Sequence, residues 1–204
     1  MAENNAVRLT KTDTKEKGEK SLSPLLSEHT KNAGKQTNPM TTPFLAKVTV
    51  NIGVGEGGDK LQKAMKVLQM VTGKKPVQNK AKIDVREWGV RKGTPLACKV
   101  TLRGEDAKAF LKRAFWVRNN KMPAYSFDNL GNVAFGIPDY TNFQGMKYDA
   151  AIGTFGMDIC ITIERPGYRI KRRALLTKKV PKHHMVTAQE TMDILKKEFG
   201  VEIV

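Results

Sequence analysis

The sequence predicts an α+β domain: helices packed on one face of a mostly antiparallel sheet, a basic open face on the other side, and a flexible extension ahead of the fold. Three observations predict it. Several short segments alternate apolar and polar residues with the period of half-buried strands. Three longer segments place their apolar residues at helical spacing. Finally, 36 Lys and Arg against 20 Asp and Glu give the 204-residue chain a formal charge of +16, an excess that suits a polyanion binder better than an ordinary metabolic enzyme.

Residues 1–40 hold 7 basic and 5 acidic side chains, in clusters such as TKTDTKEKGEK. That composition cannot bury enough apolar surface to offset its ordering entropy. Residues 1–37 are therefore expected to form a disordered polar extension and residues 38–204 a single domain. The chain beyond residue 40 keeps 29 basic and 15 acidic groups, so the charge belongs to the domain.

In chain order, LAKVTVNI (45–52) sets Val48, Val50 and Ile52 on one side and Lys47, Thr49 and Asn51 on the other, the signature of a half-buried strand. Asp59–Val71 carries Leu61, Ala64, Met65, Leu68 and Val71 on one helical stripe and runs into Gly73, a stop signal. Val77–Val85 is a weaker strand candidate that would pair with 96–103 through a long connection. LACKVTLR (96–103) turns Leu96, Cys98, Val100 and Leu102 inward and Lys99, Thr101 and Arg103 outward. Glu105–Val117 fits a helix striped by Ala107, Phe110, Leu111 and Ala114, with Glu105 and Asp106 suited to the positive end of its dipole. Asn132–Ile137 follows the turn-like DNLGN as another strand, and ICITI (159–163) offers Ile159, Ile161 and Ile163 as a third inward row. The capping box Thr187-Ala188-Gln189-Glu190 begins a last helix through Met192, Leu195 and Phe199 to Gly200. Alternation of this kind implies an antiparallel or mixed sheet with one open face. The irregular order of strands and helices favours α+β.

The motifs narrow the function. No run of 18 apolar residues and no apolar leader occurs, so neither a membrane span nor export is expected and the chain fits a cytosolic protein. Cys98 and Cys160 stand outside CxxC spacing and are expected to be small buried residues. His183 and His184 are neighbours that would point apart, so no metal site is expected. Gly53, Gly55 and Gly58 satisfy GxGxxG, but the second parallel strand with its acidic end is replaced by the cationic run KKPVQNKAK. The GxxxxGK[ST] loop fails as well, because Asp59 occupies the lysine position. These glycines are better suited to a tight strand-to-helix turn whose backbone approaches something closely. No cofactor is expected, and no catalytic set appears.

Charge is clumped. Lys74–Arg103 carries nine basic and two acidic residues, and Arg165–Lys182 carries eight basic and none acidic. Such patches concentrate phosphate and release condensed counterions. Between two strands, REWGVRKGTP (86–95) combines Arg86, Trp88, Arg91 and Lys92 with Gly89, Gly93 and Pro95, which predicts a long projecting loop. Its cations would hold phosphates, while Trp88 would either stack on an unpaired base or pack on the root of its own loop.

The strings VTVNIGVGE, TGKKPV, VRKGTPLACKVTLRG, SFDNLGN and GTFGMDICITIERPGYRIKRR resemble the large-subunit ribosomal protein five family, the universal binder of 5S rRNA, in its archaeal form. The resemblance covers residues 38–204 without a gap, and residues 1–37 have no counterpart in it. It implies a structural, non-enzymatic component of the large subunit whose sheet docks on 5S rRNA in the central protuberance beside 23S rRNA. It also implies a loop that reaches P-site tRNA and a contact with small-subunit protein thirteen across an intersubunit bridge. Asn51, Lys99, Thr101 and Arg103 match family positions on the rRNA-facing side; Lys47, Thr49, Lys80 and Lys82 join them by geometry. Arg86, Arg91, Lys92 and Gly93 match the tRNA-proximal loop, and Trp88 stands among them. Two other readings compete: a nucleotide-dependent enzyme built on the glycine turn, which would bind nucleotide saturably, and an architectural DNA binder, for which duplex DNA would compete equally with RNA.

Overall fold

The alternating segments join in one sheet, and their pairing decides which side stays open. The structure, a computed structural model, describes residues 38–204; the extension expected over residues 1–37 lies outside the described residues. The elements, in order, are β1 (Phe44–Gly53), α1 (Asp59–Thr72), β2 (Val77–Lys80), β3 (Pro95–Leu102), α2 (Gly104–Val117), β4 (Lys121–Met122), β5 (Asn132–Ile137), β6 (Met157–Glu164), α3 (Ala188–Phe199) and β7 (Glu202–Ile203). Five strands form a sheet in the order β2-β3-β1-β6-β5, each neighbour antiparallel. Strands β4 and β7 add a short parallel pair.

The register explains the core. Val48, Val50 and Ile52 lie opposite Leu102, Val100 and Cys98 on β3, and Val48 and Val50 also face Ile161 and Ile159 on β6. All of these are buried. Against them α1 buries Leu61, Ala64, Val67, Leu68 and Val71, and α2 buries Ala107, Phe110, Leu111, Ala114 and Phe115. At about 1.5–3 kcal/mol for each large apolar side chain removed from water, this layer dominates the stability. The Phe115 ring lies 5.5 Å from both Phe135 and Phe199, tying α2, β5 and α3 together.

Local chemistry sets the element ends. Gly73 takes a left-handed φ of 68° and donates its N–H to the Gln69 carbonyl at 2.8 Å, closing α1. The capping box opens α3: Thr187 Oγ1 accepts the Glu190 N–H at 3.4 Å, and Glu190 Oε2 accepts the Thr187 N–H at 3.2 Å. Before β5, Gly131 has φ 81°, and a Cβ there would stand 2.9 Å from the Ile163 carbonyl oxygen.

Two expectations need correction. The strand expected over Val77–Val85 stops at Lys80: the ladder with β3 shifts register between Asn79 and Lys80 and its last pair is Lys80 with Pro95, after which Val85 and Val90 form only an isolated bridge. Cys160, expected to be buried, is exposed: with Ile159 and Ile161 facing inward, strand alternation turns it out. Two irregular stretches also supply core residues that periodicity does not reveal, Tyr140 and Phe143 in one, Tyr168, Val180 and Val186 in the other. No helix among the described residues is long and apolar enough to cross a membrane.

Candidate nucleic-acid interface

The face opposite the helices carries three cross-strand rows. The first runs Val77, Lys99, Asn51, Asp158, Gly136. The second runs Thr101, Thr49, Cys160, Ala134, and the third Lys47, Thr162, Asn132. Every member is exposed or half-buried. Lys47, Thr49, Asn51, Lys99 and Thr101 thus come together on one surface, as alternation predicts, with neighbouring strands about 4.8 Å apart.

The cations concentrate on the β2-β3-β1 side. Arg103, just past β3, is exposed and donates from Nη1 to the Ala46 carbonyl at 3.5 Å, so its guanidinium crosses toward β1 with donors to spare. Beside it a groove of about 440 Å³ is lined by Lys74, Lys75, Lys99, Arg103 and Asp106. Lys74 Nζ meets Asp106 Oδ2 at 2.9 Å with both side chains more than half exposed, a pairing of little energetic weight. Lys74 and Lys75 lie outside any strand, so alternation cannot place them on this face; the sequence marks them only as the start of the basic clump and as part of TGKKPV. Lys80 and Lys82 are exposed, but the register shift at Asn79 separates them from the alternation that orders the rows.

The loop after β2 is a stitched extension of the β2-β3 hairpin. The Ala81 N–H donates to Thr94 O at 2.8 Å and the Gly93 N–H to Ala81 O at 3.0 Å. Higher up, Asp84 accepts the Lys92 N–H, and Val85 and Val90 exchange hydrogen bonds of 2.9 and 3.0 Å. A single turn of 3₁₀ helix, Arg86–Trp88, forms the tip and closes at Gly89 with φ 64°. Trp88 is 78% exposed, so it does not pack on the loop root. Arg86, Arg91, Lys92 and Gly93 are exposed with it.

The glycine turn approaches β3. The Val54 and Gly55 N–H groups donate to the Leu96 carbonyl at 3.1 and 3.0 Å, and a Cβ on Gly57 would stand 3.3 Å from the Pro95 carbonyl oxygen. Both neighbours of β1 are antiparallel, so the parallel crossover that shapes a dinucleotide crevice is missing around this turn.

The second basic cluster is partly neutralised from outside its own window. Arg172 and Lys171 both pair with Glu164, whose side chain is nearly buried, and Arg165 Nη2 meets Glu190 Oε1 at 2.6 Å. Arg169, Arg173, Lys178, Lys179 and Lys182 have no carboxylate partner among the described residues. This segment leaves the sheet where β6 ends opposite Phe44, whereas the β2-β3 loop lies toward Gly53 and Ala97. The ten residues of β1 put about 30 Å between those two ends of the sheet.

The thiols differ as their places do. Burial pushes Cys98 up to about 11. Cys160 is raised first by partial burial and then by the neighbouring Asp158 carboxylate.

Comparison with known proteins gives this face its context. The family described as ribosomal protein L5 matches residues 38–91, and the model of that ribosomal family's C-terminus matches residues 95–194. A protein of Thermoplasma acidophilum named large ribosomal subunit protein uL5 is 50% identical over 168 residues, 82% of this chain and 99% of the relative. Proteins of the same name from Sulfurisphaera tokodaii and Methanosphaera stadtmanae are 50% and 46% identical, covering 82% and 81% of this chain and 95% and 99% of the relatives. With most of its length matched by both comparisons, the chain belongs to the ribosomal protein L5 family.

Proposed function

We propose that this protein is a structural, non-catalytic constituent of the large ribosomal subunit that binds 5S rRNA through the open face of its sheet. Residues 38–204 form the RNA-binding domain. On this reading, Lys47, Thr49, Asn51, Lys99, Thr101 and Arg103, with Lys80 and Lys82 at the sheet edge, contact 5S rRNA and hold it in the central protuberance against 23S rRNA. The loop carrying Arg86, Trp88, Arg91, Lys92 and Gly93 extends to P-site tRNA, and the small-subunit protein thirteen is met across an intersubunit bridge. The relatives are named as proteins of the large ribosomal subunit, which supports the structural role and the ribosomal location.

The observation that carries the proposal is the placement of Lys99, Thr101, Lys47, Thr49 and Asn51 on one uncovered surface, with Arg103 and the Lys74–Lys75 pair along its edge. Cations in that density neutralise phosphates and displace their counterions. The log of affinity for 5S rRNA should therefore fall linearly with log salt, by roughly 0.7–0.9 for each phosphate contacted. Titration across a range of ionic strength tests this, and an affinity indifferent to salt would remove the electrostatic basis of the proposal. Excess duplex DNA and free nucleotide should fail to displace the RNA.

A further inference from the structure

The open face is chemically divided. On β2, β3 and β1 it is cationic; on β6 and β5 it is nearly flat, because Cys160, Ala134 and Gly136 present small side chains or none. In that flat half stands one exposed acid among the paired positions, Asp158, between Asn51 and Gly136. Asp158 is exposed and has neither an ion pair nor a side-chain hydrogen bond among the described residues. Lys99, in the same row, is two strands away, roughly 10 Å. The carboxylate leans over the flat side: its Oδ1 lies 3.6 Å from where a Cβ on Gly136 would sit. Its charge also reaches the neighbouring Cys160 thiol, which burial and then Asp158 raise.

A lone carboxylate is poorly placed against phosphate. It repels the backbone that the rest of the surface attracts, so this position faces some other part of the RNA. Resting on the proposal that the sheet binds RNA, we infer that Asp158 reads a base: its two oxygens accept the N1–H and N2–H of an unpaired guanine. Guanine alone presents two parallel N–H donors on its Watson–Crick edge, and that edge is free only outside a duplex. The flat neighbours leave room for the plane of the base. Asn51, one strand over at about 4.8 Å, offers an amide N–H to guanine O6. The cationic half thus holds phosphates while this subsite selects sequence.

The test uses the full-length protein, 5S rRNA and an unrelated duplex RNA. Removing a negative charge from a phosphate-binding surface should, on electrostatics alone, tighten both complexes. The base-reading role predicts the reverse for the cognate one: Asp158→Asn binds 5S rRNA about tenfold more weakly and binds the unrelated duplex equally or more tightly. It also predicts that the variant loses protection of one unpaired guanine from a reagent attacking N1 and N2. Since the residue is exposed on a paired strand, the variant should keep the wild-type thermal transition. Equal or tighter 5S rRNA binding by Asp158→Asn would overturn the inference, including the case in which the carboxylate serves a basic side chain of a neighbouring protein. A wild-type protein with salt-independent binding, or a Lys99→Ala, Arg103→Ala variant with unchanged affinity, would instead overturn the RNA-binding face itself, a result distinct from the first.

Discussion

Replacing Lys99 and Arg103 together by alanine perturbs the proposed interface where the geometry allows the effect to be worked out. Lys99 is exposed in the centre of the cationic rows, and Arg103 gives up only a single long hydrogen bond to Ala46 O. Each is placed to neutralise one phosphate. Under counterion release, one lost contact lowers the salt slope by roughly 0.7–0.9. At about 0.1 M salt that is a five- to eightfold loss, so two contacts amount to roughly 25- to 60-fold. Neither side chain belongs to the core, and surface changes of this kind usually shift stability by no more than about 0.5 kcal/mol. Filter binding or fluorescence anisotropy with labelled 5S rRNA at several ionic strengths reads both quantities, and circular dichroism with a thermal melt checks the fold. A weaker complex with an unchanged salt slope would mean that these cations touch no phosphate.

Three other outcomes follow from the same geometry. Arg91→Ala with Lys92→Ala should leave 5S rRNA affinity within about twofold, because the loop is held by the Lys92 backbone N–H on Asp84 and not by its side chain; chemical footprinting of P-site tRNA in assembled ribosomes should change. Gly131→Ala combines a positive φ with a Cβ 2.9 Å from a carbonyl oxygen and should cost about 3 kcal/mol, measured by urea unfolding. The Cys98 thiol, raised from 9.0 to about 11, stays protonated in the fold while the unfolded chain deprotonates. Its contribution is therefore complete below pH 9 and is lost as pH rises toward 11, at roughly 1.4 kcal/mol per pH unit. In urea unfolding, Cys98→Ala should lack that part of the alkaline decline, and an identical decline in both proteins would mean the thiol is not responsible.

Much of the sheet was legible because one of its faces is greasy and the other is not. In β1, β3 and β6 strict alternation separates Val48, Val50 and Ile52 from Lys47, Thr49 and Asn51, and it carried the outward placement of Lys99 and Thr101 as well. The helix ends were legible in Gly73, Thr187 and Gly200, where capping chemistry is local. Structure that is decided at a distance leaves no local pattern. Tyr140 and Phe143 enter the core from a segment without period. The ladder of β2 shifts register at Asn79 and ends one pair later, at Lys80 opposite Pro95, which depends on β3. Counting charges over Arg165–Lys182 could not see Glu190 folding back onto Arg165, and Glu164 lies one residue outside that window. Asp158 carries no signal of its own for a related reason: its significance lies in its cross-strand neighbours, Asn51 and Gly136, which are far away in sequence.

The chain carries its own probe of where RNA lies. Cys160 is exposed beside Thr49 in the middle of the open face, while Cys98 is buried beneath it and held protonated, an internal control that should stay unreactive in the folded protein. Alkylation at mildly alkaline pH, read by mass spectrometry with and without bound 5S rRNA, reports coverage of that surface directly. Strong protection of Cys160 in the complex is expected. If Cys160 is modified as fast with 5S rRNA bound as without it, the RNA lies elsewhere on the protein.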